Sequence, residues 1–209
     1  MRQLPERTVE RLSQYRRVLL RLLSIKKEYI YSHELASLLH ITAVQVRRDI
    51  MLIGHTGTLR LGYKIKDLVD LISTIIDTPG KRNLAIVGIG NLGQALINYI
   101  ASNQDKIIPV AIFDVNEKKI GSTFHGVTCY SMDMMEEIVK KESITIALLT
   151  LPPQFAQSTA NRLIEAGVKG IMNFTPTLLN LQGAFLEQYD MITSLEKVAY
   201  FSKPKFFVS

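Results

Sequence analysis

Residues 84–93, Leu84-Ala85-Ile86-Val87-Gly88-Ile89-Gly90-Asn91-Leu92-Gly93, constrain this chain more than any other stretch. The short apolar run Leu84 to Val87 reads as a buried parallel strand. It stops at Gly88-x-Gly90-x-x-Gly93, and a helical pattern (Leu92, Ala95, Leu96, Tyr99, Ile100) follows at once. A strand, a tight glycine turn and a helix in that order form the setting of a dinucleotide fingerprint. Gly88 permits the turn. Gly90 has no Cβ, so a pyrophosphate can approach the backbone. Gly93 lets the helix pack near the strand. The amides at the start of that helix, including those of Ile89, Asn91 and Leu92, then face an anion.

The pattern by itself is also met in glycine turns without a ligand, so a second signal is needed. Asp114 supplies it, 21 residues past Gly93, at the end of the apolar run Ile107 to Phe113. A carboxylate there accepts hydrogen bonds from adenosine ribose hydroxyls and repels a 2′-phosphate, which favours NAD(H) over NADP(H). Val115 follows it on the same rim. The alternative for Asp114 is a strand-end turn former beside Asn116.

The chain has 209 residues, enough for one large domain or two small ones, and 47 % apolar content, enough for real cores. The single cysteine, Cys129, excludes an internal disulfide and any multi-cysteine metal site, and no His, Asp or Glu cluster has metal-ligand spacing. Nothing approaches about 18 uninterrupted apolar residues, so no membrane span is expected. Charges occupy the N-terminus where a signal peptide needs an apolar core, which points to a cytoplasmic protein. The net charge of +6 is uneven: residues 1–79 hold 13 Lys and Arg against 8 Asp and Glu, and residues 80–209 hold 12 against 11. The basic excess precedes the glycine motif and suggests a polyanion partner for the N-terminal part.

In that part, Val9, Leu12, Tyr15, Val18, Leu19, Leu22 and Leu23 recur at three- and four-residue steps, and the stretch to residue 30 reads as a helix after Pro5. Ser32 is placed to cap a short helix through Leu39. After His40-Ile41, Thr42-Ala43-Val44-Gln45 fits a capping box that opens a third helix through Ile53. Two short helices joined by a tight turn make a helix-turn-helix, whose second helix enters the major groove. Thr42, Gln45, Arg47 and Arg48 are the candidates for bases or phosphates. The alternative for Arg47-Arg48 is a solvated face bridging Asp49. Leu59 to Tyr63 reads as the hairpin wing of a winged helix, with Arg60 and Lys64 available to phosphates. Residues 65–76 form another helix, and Asp77-Thr78-Pro79-Gly80 is a linker.

Beyond the linker, strand and helix patterns alternate: Val127–Tyr130, Met132–Lys141, Ile144–Thr150, a helix to Ala166, then a turn and strand over Gly167–Phe174. This is the doubly wound pattern, in which ligands sit beyond the carboxyl ends of the strands. Thr150 and Pro152, and Asn173 and Phe174, fall there and are placed to wall a nicotinamide, or else are ordinary loop residues. Residues 194–202 read as a helix apolar on several sides, followed by Phe206-Phe207-Val208, and such a helix needs a partner. No convincing catalytic acid, base or nucleophile is visible past the linker, so the chain is expected not to be an enzyme.

The expected fold is therefore α/β: a winged-helix DNA-binding domain (1–79), a doubly wound parallel-sheet Rossmann domain (80–193) and a C-terminal helix and tail (194–209). This organisation resembles the Rex family of redox-sensing transcriptional repressors. The matching stretches are Ala43 to Asp49, Val87 to Leu96, Phe113 to Val115, Ile146 to Pro152 and Ala166 to Phe174, in the family's order and over most of the chain. The resemblance implies a homodimer with exchanged C-terminal helices, binding of NADH and NAD, and release of palindromic operator DNA when NADH rises. It further implies a switch network of Arg17, Tyr99 and Asp190. Two stretches depart from the family's pattern: Met51 to His55 lacks the usual aromatic residue before Gly54, and the wing has Arg60 followed by Leu61 rather than by glycine. The competing reading is a small NAD-dependent oxidoreductase with an N-terminal helical oligomerisation domain, and a third is a subunit that binds CoA.

Overall fold

The computed structural model describes residues 4–58, 60–77, 79–103 and 106–203. The chain separates into two compact units, Met1–Pro79 and Gly80–Ser209.

The first unit opens with α1 (Glu6–Ser24), whose Leu12, Tyr15 and Leu19 are fully buried along one face. The expected helix to residue 30 ends early. Lys26 takes a left-handed φ of 63°, and Tyr29–Ile30 becomes a strand, β1, paired antiparallel with β2 (Tyr63–Lys64). That partner lies more than thirty residues away, beyond the reach of local periodicity. Next come α2 (Ser32–Leu39) and α3 (Ala43–Leu52), joined through His40 at φ 54°, and then α4 (Ile65–Ile76). Leu35, Val46, Ile50, Leu68 and Ile72 close the core around the buried face of α1.

Two caps differ from expectation. Ser32 does not cap α2. Glu34 does, its Oε2 accepting the Tyr31 N–H at 2.7 Å, while Ser32 Oγ accepts from Arg47. At α3 only half of the capping box forms: Thr42 Oγ1 accepts the Gln45 N–H at 3.2 Å, but the Gln45 side chain turns inward to Asp49. A buried carboxylate is a stronger acceptor than a solvated cap site. The wing is also smaller than expected. It consists of one bridge, Thr58 to Gly62, with reciprocal hydrogen bonds of 2.8 and 2.9 Å. Gly62 sits at φ 74°, and a Cβ there would run into the Ile30 carbonyl. Leu59 of the wing, Thr78 of the linker and Phe206-Phe207-Val208 lie outside the described residues.

The second unit begins with β3 (Arg82–Val87), α5 (Asn91–Asn103) and β4 (Ile107–Asp114). β5 (Thr123–Phe124) and β6 (Val127–Ser131) follow, then a 3-10 turn and α6 (Met135–Lys141). The chain continues through β7 (Ile144–Leu149), α7 (Ala156–Ala166), β8 (Gly170–Asn173), β9 (Phe185–Gln188) and α8 (Met191–Phe201). The sheet order is β5-β6-β4-β3-β7-β8-β9, and all pairs from β6 to β9 are parallel. Leu84 and Ile86 pack on one face of the sheet, Ala85 and Val87 on the other. Burial on both faces explains why β3 has no polar alternation. The chain winds outward from β3 to β6 and then returns to β7 on the other side of β3, so the strand order reverses at β3. The short antiparallel β5 and the edge strand β9 carry weak apolar patterns and go unseen in the sequence reading.

The last helix starts at Met191, three residues before the expected position. Asp190 caps it, Oδ1 accepting the N–H groups of Ile192 (2.9 Å) and Thr193 (3.1 Å). Every residue of α8 is exposed, including Met191, Ile192, Leu195, Val198, Tyr200 and Phe201. Among the described residues no helix is long and apolar enough to cross a membrane, and no cluster of three or more His, Cys, Asp or Glu is placed to hold a metal.

Candidate functional site

The register aligns Val87 with Phe113 on one side and Leu149 on the other, and Leu149 with Asn173. The residues just past them, Gly88, Asp114, Thr150 and Phe174, therefore share the carboxyl edge of the sheet at the point of strand reversal. Ligands of open α/β sheets bind at such a point.

The three glycines have different local reasons. Gly88 has φ 93°, and a Cβ there would lie 2.8 Å from the Thr150 carbonyl oxygen. At Gly93 a Cβ would collide with the Gly88 carbonyl. At Gly90 a Cβ would meet nothing within 4 Å. Two glycines are thus needed for packing, and the third borders open space, as a close backbone approach to a ligand requires. Thr150 braces the turn: its hydroxyl donates to the Gly88 carbonyl at 2.6 Å, and its amide donates to Val87. Asn91, Leu92 and Gly93 open α5, whose first-turn amides have no acceptor within the helix.

Ile89 is held by both polar ends of its backbone. Its N–H donates to Asp114 Oδ2 at 2.8 Å, and its carbonyl accepts from Lys119 Nζ at 2.9 Å. The Ile89 side chain is fully buried. Its amide is therefore committed to Asp114 rather than to a phosphate. Asp114 also accepts the Asn116 N–H at 2.8 Å, and Lys119 stands 3.5 Å from Oδ2. Burial pushes this carboxyl up, but the amides of Asn116 and Ile89 and the Lys119 ammonium outweigh it and hold the carboxyl below its ordinary value. Asp114 thus accepts the amide two residues on, as a turn former does, while its carboxylate stands at the carboxyl edge of the sheet. Lys119 is a further residue of the candidate site, one that the sequence reading missed. Its signal, a lysine five residues after the strand-end aspartate, is too common to single out.

The far wall is less direct. Asn173 is fully buried, donating to Thr177 O and Gln188 Oε1 and accepting the Thr175 N–H, so it builds the loop after β8 and ties it to β9. Phe174 is partly exposed and stacks at an angle on Tyr189, with ring centroids 5.2 Å apart. Pro152 begins the turn into α7 and is exposed, and Val115 stands 80 % exposed on the rim.

In the first unit α3 buries Val46, Asp49 and Ile50 and exposes Val44, Arg47, Arg48 and Met51. Arg47 Nη1 donates to Ser32 Oγ at 3.1 Å, and Arg48 has no partner among the described residues. Neither bridges Asp49. Arg11 does, with Nε to Oδ2 at 2.6 Å and Nη2 to Oδ1 at 2.8 Å. Arg60 is exposed in the wing, its carbonyl accepting from the Tyr31 hydroxyl, and Lys64 lies 3.5 Å from Asp67. Thr42 keeps a hydroxyl proton to donate. Of the three switch candidates, Arg17 is an exposed residue of α1 in the first unit; Tyr99, exposed on α5, and Asp190, capping α8, belong to the second.

A winged helix joined to a Rossmann-type sheet with an open fingerprint loop defines a two-domain, ligand-responsive DNA-binding regulator. Comparison with known proteins gives the family. A family model described as the N-terminus of a putative DNA-binding protein matches residues 3–50, and one described as a CoA binding domain matches residues 79–177. The redox-sensing transcriptional repressor Rex of Lactobacillus gasseri is 37 % identical, the match covering 95 % of this chain and 93 % of that protein. Rex of Listeria welshimeri is 36 % identical over the same shares. The crystal structure of RSP, a Rex-family repressor, superposes with a TM-score of 0.86 at 31 % identity, covering 96 % of this chain and 94 % of that one. RSP with β-NAD+ and operator DNA gives a TM-score of 0.88 at 32 % identity, covering 96 % and 93 %. RSP with β-NADH gives 0.85 at 32 %, covering 95 % and 93 %. The chain belongs to the Rex family of redox-sensing transcriptional repressors.

Proposed function

We propose that this chain is a non-enzymatic, cytoplasmic repressor that binds palindromic operator DNA as a homodimer and releases it when NADH occupies the second unit. The observation that carries the reading is the fingerprint loop. Gly88 and Gly93 are required by packing, whereas Gly90 faces open space beside a carboxylate that stays ionised. In this reading the pyrophosphate lies over Gly90 and the amides of Asn91 and Leu92. The ribose hydroxyls donate to Asp114, with Val115 under the adenine and Pro152 and Phe174 toward the nicotinamide.

Thr42, Gln45, Arg47 and Arg48 face the major groove, while Arg60 and Lys64 reach phosphates. The greasy face of α8 is covered by a second copy of the chain, which makes 194–209 a dimerisation segment. Arg17, Tyr99 and Asp190 re-pair as the dimer changes state, since charged hydrogen-bond sets can exchange partners when domains rotate. The match of residues 3–50 to a DNA-binding protein's N-terminus and the repressor relatives favour this reading over a small NAD-dependent oxidoreductase.

One finding favours a second ligand, the match of residues 79–177 to a CoA binding domain. A single experiment separates the readings. Labelled inverted-repeat DNA is titrated with protein in the presence of NAD, NADH, NADP or CoA. The proposal expects NADH to displace the DNA at concentrations where NAD and NADP do not. Displacement by CoA alone would support the second ligand, and indifference to all four would refute both.

A further inference from the structure

The buried carboxylate of Asp49 lies beneath the DNA-facing side of α3 and is 1 % exposed. It accepts four hydrogen bonds: from Arg11 Nε and Nη2, from the Tyr15 hydroxyl at 2.7 Å, and from Gln45 Nε2 at 2.9 Å. Four donors fill the acceptor capacity of a carboxylate. Burial raises its proton affinity, but the hydrogen bonds from Arg11, Tyr15 and Gln45 outweigh this and hold the carboxyl below its ordinary value, so it carries no proton at neutral pH. A group that only accepts decides which end of a neighbouring amide faces it. Gln45 must turn its nitrogen, not its oxygen, toward Asp49. Its Oε1 accepts from none of the described residues.

We propose that Asp49 is a positioning residue for base reading, presenting the Gln45 amide to DNA in the orientation that matches adenine. The proposal rests on the reading of α3 as the helix that enters the major groove. One N–H of the Gln45 amide is taken by Asp49. The second N–H and Oε1 remain as a donor–acceptor pair, which is the pair that adenine meets with N7 and N6. A free glutamine flips its amide at little cost and reads weakly. Here the flip would set the carbonyl oxygen of Gln45 against a carboxylate. Arg11 and Tyr15 hold that carboxylate from α1, so the orientation is built into the core of the unit.

The test uses the full-length protein and DNA duplexes randomised within an inverted repeat, with the selected half-site then substituted at each base pair. Wild type should prefer adenine by roughly tenfold at one position of the half-site. Q45M should abolish that preference at that position alone. D49N places an amide nitrogen opposite Gln45, which turns its oxygen inward and its two N–H donors outward, and the preference should move to guanine, which offers O6 and N7. Y15F, which leaves the Gln45 hydrogen bond in place, should lower Tm and keep the adenine preference. A further measurement needs no variant: in 15N-labelled wild type the Gln45 side-chain NH2 should exchange with solvent more slowly than that of exposed Gln182. An adenine preference unchanged in Q45M or in folded D49N, a loss in D49N that is uniform over all sequences, or unprotected Gln45 exchange would overturn the proposal. If Q45M, Arg47→Ala and Arg48→Ala all bind every DNA as wild type does, the assignment of α3 fails as well. If only Q45M does, the helix still reads DNA and the proposal alone falls.

Discussion

At the scale of single residues, side chains and glycines with the same sequence signature carry different loads. Gly88 holds a left-handed φ against the Thr150 carbonyl, so Gly88→Ala is expected to cost about 1–2 kcal/mol from backbone strain, plus the overlap. Gly90→Val, by contrast, meets open space. It should leave Tm close to that of wild type, since a Cβ there meets nothing within 4 Å, while abolishing NADH binding in a calorimetric titration. Loss of both stability and binding would mean that Gly90 is a packing residue after all. The carboxylates Asp49 and Asp114 are both held below the ordinary value near 3.9. The unfolded chain takes up these protons first as the pH falls. Their stabilisation is therefore complete above about pH 5 and is lost as the pH drops through the lower folded values. Urea midpoints of wild type and D114N should accordingly converge as the pH falls below the ordinary carboxylate value near 3.9. Tyr15 has the opposite sign. Burial first, and then Asp49, raise its phenol above the usual value near 10, so its contribution is present below that value and fades as the pH rises beyond it. Asp49→Ala strands the Arg11 guanidinium and the Tyr15 hydroxyl. The loss should fall toward the low end of roughly 3–5 kcal/mol, because the Arg11 side chain keeps 21 % of its exposure.

At the scale of elements, α3 and α8 each present an uncovered face, for opposite reasons. The outer face of α3 is cationic. Arg47→Ala with Arg48→Ala should weaken operator binding by about 1–3 kcal/mol for each arginine that pairs bidentately with a base, and should flatten the dependence of affinity on salt. Anisotropy titrations at several salt concentrations measure both effects, and an unchanged slope would remove these arginines from the interface. The outer face of α8 is apolar. Leu195→Glu with Val198→Glu puts two charges where a second copy is proposed to pack, and sedimentation should then report a monomer whose operator affinity falls steeply. A variant that remains dimeric would place the interface elsewhere. The early end of α1 and the half-formed box at α3 share one lesson. Local capping signals compete with tertiary partners, and β2 and Asp49 won.

At the scale of the whole molecule, binding of DNA and of NADH must be linked in both directions. If NADH lowers operator affinity by some factor, operator must lower NADH affinity by the same factor, with an expected coupling on the order of 1–3 kcal/mol. NADH fluorescence and labelled-operator anisotropy, on one preparation, measure the two sides of that equality. Arg17→Ala should retain NADH binding and lose much of the coupling. If NADH and NAD leave operator affinity equally unchanged in wild type, the chain does not sense redox state.

The sequence alone determined the elements whose signal is short-range. The fingerprint Gly88-x-Gly90-x-x-Gly93 between β3 and α5, Asp114 at the end of β4 and the apolar strand β7 are visible because turn sterics and two-sided burial write themselves into neighbouring residues. So is the pair α2 and α3. Only the tertiary structure decided which of these residues face outward. It showed that the Ile89 amide belongs to Asp114, that Lys119 clasps the carbonyl of the same residue, and that Asn173 ties the loop after β8 to β9. It also showed that Tyr29–Ile30 pairs with Tyr63–Lys64 and that Gln45 turns from its cap to a buried carboxylate. Each of these pairings joins groups through a hydrogen bond whose strength depends on burial, and most of them join residues distant in sequence. Periodicity reports which face of an element is buried, but it does not report which polar group waits there.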